Sequence, residues 1–281
     1  MIYIYLYMGK LRILLLITLG MAAIKMLYSQ NDECSIRNRA FGSGEKITYT
    51  VSYNWFIIWT EVGEVTFKVN ETTIFNNPCL HLSGTGSTYS SWDWFFKVRD
   101  RYDSWVNPVT LKPYFFIRDV DEGGYKFRYK YIFNRNRKYA LSSYTRPDKP
   151  ERIDTIDITE CTFDMISISY FSRNIDYGRY RPGDTIAVTI LLDNILENIY
   201  FRYQGIENLK IRRFGEFECI KFSIFLVAGS VFKGGEYMSL WVTNDKNHIP
   251  LYIESPIIVG SIKARINSIE GNKYALTSRI R

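Results

Sequence analysis

The sequence predicts an all-β, antiparallel fold, and three features predict it. The 281-residue chain carries 22 Tyr and 18 Phe among many Ile, Thr and Val, all residues that favour strands. Apolar and polar residues alternate with period two along most of its length, as in strands with one dry and one wet face. Short runs containing Gly, Asn or Pro punctuate those stretches. With 46% hydrophobic residues, 8 Pro and 18 Gly, the composition excludes disordered and collagen-like chains.

The chain opens on a segment that reads as an export leader, residues 1–29. Lys10 and Arg12 precede an apolar run from Ile13 to Ile24. That run is shorter than the roughly 20 residues a helix needs to cross a bilayer, and a basic flank before a short apolar stretch describes a secretory signal. Cleavage is expected after Ser29, although Leu27 is larger than the usual residue three positions from the cut. Met8 is an alternative start, and an uncleaved anchor is the alternative reading of the segment. Cys34 follows a polar stretch, unlike a lipid-acceptor cysteine. No later run approaches 18 apolar residues, so no membrane span is expected in the mature chain. The expected location is periplasmic or envelope-associated.

The leader also carries charge. Lys10, Arg12 and Lys25 with no acid account for part of the formal +7, and their removal leaves 33 basic against 29 acidic residues. A net of +4 without a concentrated basic patch argues against nucleic acid as a partner. Cys34, Cys79, Cys161 and Cys219 remain. An oxidising compartment allows two bridges in any of three connectivities, and buried unpaired thiols are the alternative. Their spacing excludes a Cys-x-x-Cys site, and two His, His81 and His248, argue against a His-built zinc centre. No metal or cofactor is expected.

The strands follow in order. Ile47, Tyr49, Val51 and Tyr53 alternate with Thr and Ser; Val65, Phe67 and Val69 with Glu64, Thr66 and Lys68; Tyr125, Phe127, Tyr129 and Tyr131 with Lys126, Arg128 and Lys130; Ile220, Phe222 and Ile224 with Lys221 and Ser223. Turns are expected at Asn76-Asn77-Pro78, at Asp121-Glu122-Gly123-Gly124, at Lys233-Gly234-Gly235 and at Glu270-Gly271-Asn272. A weak internal repeat overlies this pattern. Phe41-x-x-Gly44-Glu45 recurs as Tyr180-x-x-Gly183-Asp184, Cys79 as Cys219, and Trp105-Val106 with Pro113 as Trp241-Val242 with Pro250. The four landmarks keep one order at an offset of roughly 140 residues, the signature of a duplicated unit. Two related β modules are therefore expected, residues 30–150 and 175–281, joined by residues 151–174, with Arg146-Pro147-Asp148-Lys149-Pro150 at the junction. Whether they form one barrel-like sheet or two lobes is open. One short helix is expected in the junction, capped by Thr162 with Asp164 in its first turn, ending near Asn174 and covering a sheet edge or plugging one end of the β structure.

Several short motifs run together through the chain. They are Phe41-x-x-Gly44-Glu45 with Tyr49, Tyr53 and Gly63-Glu64; Phe95-Phe96-Lys97-Val98-Arg99-Asp100; Asp164-x-x-Ser167-x-x-Tyr170-x-x-Arg173-Asn174; and Trp241-Val242-Thr243-Asn244-Asp245 with Pro250, Glu254 and Gly260-Ser261. In this combination, from about Cys34 to the C-terminus, the chain resembles the exported bacterial family called domain of unknown function 3108, in a form like that of Bacteroides relatives. The resemblance implies an envelope location and an all-β fold, and it brings no catalytic residue.

Functional readings rest on a few constellations. The Asp164, Ser167, Tyr170, Arg173 series places polar groups along one side of a helix, either as a site beside the sheet or as a cap with Arg173 tied to an acid. Asp93, Asp100 and Asp103 are candidate glycosidase carboxylates if held about 5–9.5 Å apart; cross-strand ion pairing is the plainer account. No Gly-x-Ser-x-Gly elbow supports Ser–His catalysis. The basic stripe Lys126, Arg128 and Lys130 can meet an anionic lipid or glycan or be a solvated face, and Trp55, Trp59, Trp92 and Trp94 are aromatic contact candidates. The expectation is a non-enzymatic protein that holds an apolar or amphiphilic envelope ligand between curved sheets, with Lys126, Arg128, Lys130, Trp92, Trp94 and Arg173 as ligand-binding residues. A glycan- or protein-interaction module and a carbohydrate-active enzyme are the alternatives.

Overall fold

The computed structural model describes residues 34, 36–55, 58–225, 237–257 and 260–280. The leader and the Lys233-Gly234-Gly235 turn lie outside them. Contacts within the chain separate a short N-terminal unit, Met1–Ile36, from the body, Arg37–Arg281, which holds the sheet and the helix.

Among the described residues, fifteen strands make one sheet. They are β1 (Lys46–Trp55), β2 (Ile58–Ile74), β3 (Asn77–Thr88), β4 (Arg99–Val106), β5 (Pro113–Glu122), β6 (Tyr125–Asn134), β7 (Tyr139–Arg146), β8 (Lys149–Asp157), β9 (Thr162–Phe163), β10 (Thr185–Leu192), β11 (Ile195–Ile211), β12 (Gly215–Phe225), β13 (Tyr237–Thr243), β14 (Pro250–Pro256) and β15 (Ser261–Glu270). The order across the sheet is β8-β7-β6-β5-β4-β3-β2-β1-β15-β14-β13-β12-β11-β10-β9. Two meanders thus meet where β1 pairs antiparallel with β15. Every neighbour is antiparallel except the short β9, which runs parallel to β10. The Arg146–Pro150 segment is the hairpin turn from β7 to β8, so strand continues to Asp157 before the chain leaves the first meander.

The sheet is curled but not closed. The tip of the β10–β11 hairpin bridges its two arms. Asp193 and Asn194, both at positive φ, form that tip. Arg118 of β5 donates to Asp193 Oδ1 at 2.6 Å, and Asn194 donates through Nδ2 to Asp154 of β8 at 2.8 Å.

The internal repeat is visible in the backbone. Gly44 N–H donates to Val69 O at 2.9 Å and Val69 N–H to Glu45 O at 2.9 Å; Gly183 N–H donates to Tyr203 O at 2.8 Å and Tyr203 N–H to Asp184 O at 2.9 Å. Both glycines need positive φ for this, +91° and +99°. A β-bulge falls between Trp105 and Val106 opposite Pro113, and another between Trp241 and Val242 opposite Pro250. The long strands β2 and β11 each have 17 residues. Strands β1–β5 thus correspond to β10–β14, within one sheet rather than two lobes.

The helix α1 (Met165–Ser172) starts at Asp164, not at Thr162. Thr162 and Phe163 are instead held by β10 as the strand β9. The Asp164 carboxylate accepts from the N–H groups of Ile166 and Ser167, and the Ser167 hydroxyl accepts from Asp164 N–H, a complete capping box. Ile166, Ile168, Tyr170 and Phe171 are all buried, so the helix is covered on several sides and plugs the curl rather than shielding an edge.

Both ends of α1 are fastened by polar bonds. Ser104 of β4 donates to Asp164 Oδ2 at 2.7 Å. Arg173, just past the helix and 3% exposed, donates to Glu45 Oε1 and Oε2 at 2.6 and 2.8 Å and through Nε to Asn247 O at 3.0 Å. Its guanidinium lies 5.1 Å from the centre of the Phe41 ring. Hence the series spaced by three residues is a cap and an ion pair that tie the helix to both meanders. A buried pair of this kind is bidentate and geometrically specific.

Cys79 and Cys219 are buried free thiols at corresponding places in the two halves, whereas Cys161 is disulfide-bonded. Cys219 belongs to a core with Ile47, Tyr49, Trp241, Leu251 and Ile266. Burial pushes its thiol pKa up to about 12, so it stays protonated and packs as a small apolar group.

Candidate functional site

A cavity of about 1300 Å3 opens in the first half of the sheet. One wall is the face of β3 that carries Gly84, Gly86 and Thr88. Leu82, Gly84, Gly86 and Thr88 share that face by strand alternation, and they pair with Ser104, Tyr102 and Asp100 of β4 and with Val69, Phe67 and Val65 of β2. At Gly86 an added Cβ would find only Val65 Cγ2 within 4 Å, at 3.7 Å; at Gly84 it would meet Phe67 and Ile166 at 3.0 and 3.2 Å. The space next to Gly86 is therefore room left by a missing side chain. Met165, Ile166 and Ser169 of α1 bound the cavity on another side.

The β3–β4 loop supplies a further wall. Trp92, Phe95 and Phe96 line the cavity from there, while Trp94 is 80% exposed on the outside of the same loop. Asp93 pins the loop. It accepts from Thr88 Oγ1 at 2.6 Å and from Arg99 Nη2 at 2.6 Å, and these bonds, Arg99 first, hold its carboxyl below the usual range. Phe96 packs over Gly123, where a Cβ would sit 2.7 Å from the ring, so glycine in the β5–β6 turn lets the loop close down.

The lining is mainly apolar, with acids at two places, Glu64 of β2 and the Asp100–Glu122 pair. Asp100 and Glu122 both line the cavity, and the Glu122 carboxyl lies close enough to act on Asp100. Asp121 N–H donates to Asp100 Oδ1 at 3.2 Å. Desolvation, then the Glu122 charge, pushes Asp100 up to about 7. Beside it the Tyr102 hydroxyl is raised to about 12, chiefly by burial. Arg118 stands behind Tyr102 but is engaged by Asp193.

The residues expected to bind ligand are scattered. Trp92 lines the cavity; Trp94 does not. The basic stripe is on the other face of the sheet. Phe127 and Tyr131 of β6 face inward with Val120 and Phe116 of β5, so alternation turns Lys126, Arg128 and Lys130 outward. There Lys126 pairs with Asp121 at 3.2 Å and Arg128 with Asp119. These three residues cannot form a basic rim to the cavity, because every inward position of β6 is aromatic. Arg173 is consumed by Glu45. Trp59, another aromatic candidate, carries Lys263 Nζ at 3.9 Å from its ring centre.

The three acids singled out from sequence are also not brought together. Asp103 lies on the outward face of β4, bound by His81 at 2.7 Å and Arg101 at 2.6 Å. Only Asp100 of the three reaches the cavity, and its companion carboxyl is Glu122. Sequence reasoning misses Glu122 and the Gly84-x-Gly86 gap; two glycines at period two on an otherwise apolar strand face are the readable sign of such a gap. Among the described residues no group of His, Cys, Asp and Glu is arranged to hold a metal, and no helix is long and apolar enough to cross a membrane.

A search of the curated proteins finds no match. Among solved structures, the chain is similar to a crystal structure described as a β-barrel-like protein of domain of unknown function DUF1849 from Brucella abortus. The TM-score is 0.54 at 5% identity, covering 82% of this chain and 98% of that one. At this identity the likeness shows a shared fold. The model of the family described as protein of unknown function DUF3108 matches residues 48–267, which spans both meanders and the helix between them, and the chain belongs to that family.

Proposed function

We propose that the protein is an exported, envelope-located, non-enzymatic carrier or sensor that encloses an apolar or amphiphilic ligand in the cavity of its first half. The observation that carries this reading is the cavity itself. At about 1300 Å3 it exceeds the roughly 300–1,000 Å3 typical of small-molecule pockets, and its walls are chiefly aromatic and aliphatic. Burial of apolar ligand surface supplies affinity at about 25 cal/mol per Å2 before the cost of ordering the ligand. The leader-like first 29 residues motivate the location.

Organic extracts of purified protein, wild type and Gly86→Leu, test this by mass spectrometry. A Cβ added at Gly86 meets only Val65 Cγ2 within 4 Å, so a larger side chain there starts into the gap. More of a lipid-like species is expected in the wild-type extract than in that of the variant. Equal amounts in both, from proteins of equal folded content, would reject the cavity as the site.

A further inference from the structure

The cavity of the proposed function is mainly apolar, and the charged side chains on its lining are the acids Glu64, Asp100 and Glu122. Asp100 sits at the Gly86 level of the sheet and meets Glu122 at the end of β5. Asp100 is faced from β5 by Glu122, by Arg118 and by the Asp121 N–H, and from its own strand by Tyr102. Across β3 it faces Gly86, which has no side chain, while α1 brings Met165 and Ile166 and the loop brings Trp92, Phe95 and Phe96. The cation in this set, Arg118, is bonded to Asp193 at 2.6 Å and covered by the Phe127 ring at 4.9 Å. The cations of β6 point away from the cavity. Among the described residues, a ligand's head group placed here therefore meets two carboxyl groups and a phenol, and the nearest cation is already engaged.

Resting on the cavity reading, we infer that the site selects amphiphiles with a cationic or uncharged hydrogen-bond-donating head, an amine or an alcohol, and rejects fatty acids and other anionic lipids, with the Asp100–Glu122 carboxyl pair as the selecting group. This reverses the preference that a basic rim would impose. An anion beside these carboxyls leaves uncompensated like charge in a desolvated place, whereas an ammonium or hydroxyl donates to their oxygens. Because Asp100 is pushed up to about 7, the pair is one charge more negative above that pH than below it, and the preference for a cation grows with rising pH.

Isothermal titration with hexadecylamine, hexadecanol and palmitate tests this on the mature chain. At about pH 8.5 hexadecylamine is expected to bind at least about tenfold more tightly than palmitate, and the ratio is expected to shrink at about pH 5.5. In Asp100→Asn/Glu122→Gln the ratio is expected to fall toward unity at both pH values while hexadecanol still binds. Palmitate binding as tightly as hexadecylamine at the higher pH, or a ratio unchanged in the double variant, would overturn the inference and leave the cavity reading standing. Failure of the wild type to bind any of the three, hexadecanol included, would overturn the cavity reading and the inference with it.

Discussion

The two halves of the sheet use one backbone plan for opposite ends. Register equates Phe67 with Phe201, since these follow from the matching Glu45–Val69 and Asp184–Tyr203 bonds. Phe67 pairs with Gly84, and Phe201 pairs with Ile224. Next along, Leu82 pairs with Ser104 where Phe222 pairs with Leu240. The second half thus fills its face with Ile224, Phe222 and Leu240, where the first has Gly84, Leu82 and Ser104. Gly84 lets Ile166 of the helix approach the sheet, where a Cβ would lie 3.2 Å from it, and Ser104 holds the helix cap. At these described positions the two halves differ in side-chain volume and not in topology.

The same contrast holds for the acids that begin each half. Glu45 is 1% exposed and clamps Arg173, whereas Asp184 is exposed and its carboxylate accepts from the nearby Arg181 N–H. Substituting them should give the widest separation between the halves. Glu45→Ala strands a buried guanidinium and is expected to cost about 3–5 kcal/mol, while Asp184→Ala is expected to cost about 1 kcal/mol or less. Urea denaturation of both variants checks this; equal losses would show that the helix anchor carries no special share of the stability.

The packed half should be the more sensitive to losing volume. Ile224→Ala is expected to cost about 2–5 kcal/mol by leaving a void in a filled face. Gly86→Leu adds volume to the hollow half and is expected to shift the melting midpoint little, because the new side chain enters existing space. Thermal unfolding of the two variants compares them side by side.

A smaller effect separates the halves by pH. The folded-state pKa of Asp100, about 7, lies above its ordinary 3.8, so folding favours the protonated form. That contribution is complete below 3.8 and is lost as pH rises through about 7. Stability measured by urea midpoint should therefore decline over that window, and Asp100→Asn should flatten the decline. A decline of the same slope in the variant would assign it to other groups.

Much of this architecture is legible in residue order. Alternation at Ile47–Tyr53 and Val65–Val69 locates β1 and β2, and the Gly44-Glu45 and Gly183-Asp184 pair locates the duplication, because positive φ before a strand leaves a mark in sequence. The helix start is ambiguous by two residues in the sequence because Thr162 and Asp164 are both good caps, and only the pairing of Thr162-Phe163 with β10 decides between them. The basic stripe misleads for a similar reason. Alternation shows that Lys126, Arg128 and Lys130 share a face, but which face lines the curl depends on how the sheet bends. The Asp100–Glu122 pair joins residues brought together only by the β4–β5 register, which no local pattern reveals.

Everything functional in this picture requires a ligand to enter the hollow half next to Gly86. Titration of the wild type and Gly86→Leu with hexadecanol puts that requirement to the test. Saturable binding is predicted for the wild type, and weaker binding for a folded Gly86→Leu variant, whose added side chain takes part of the space. Equal binding by both proteins, or none by the wild type, would contradict it.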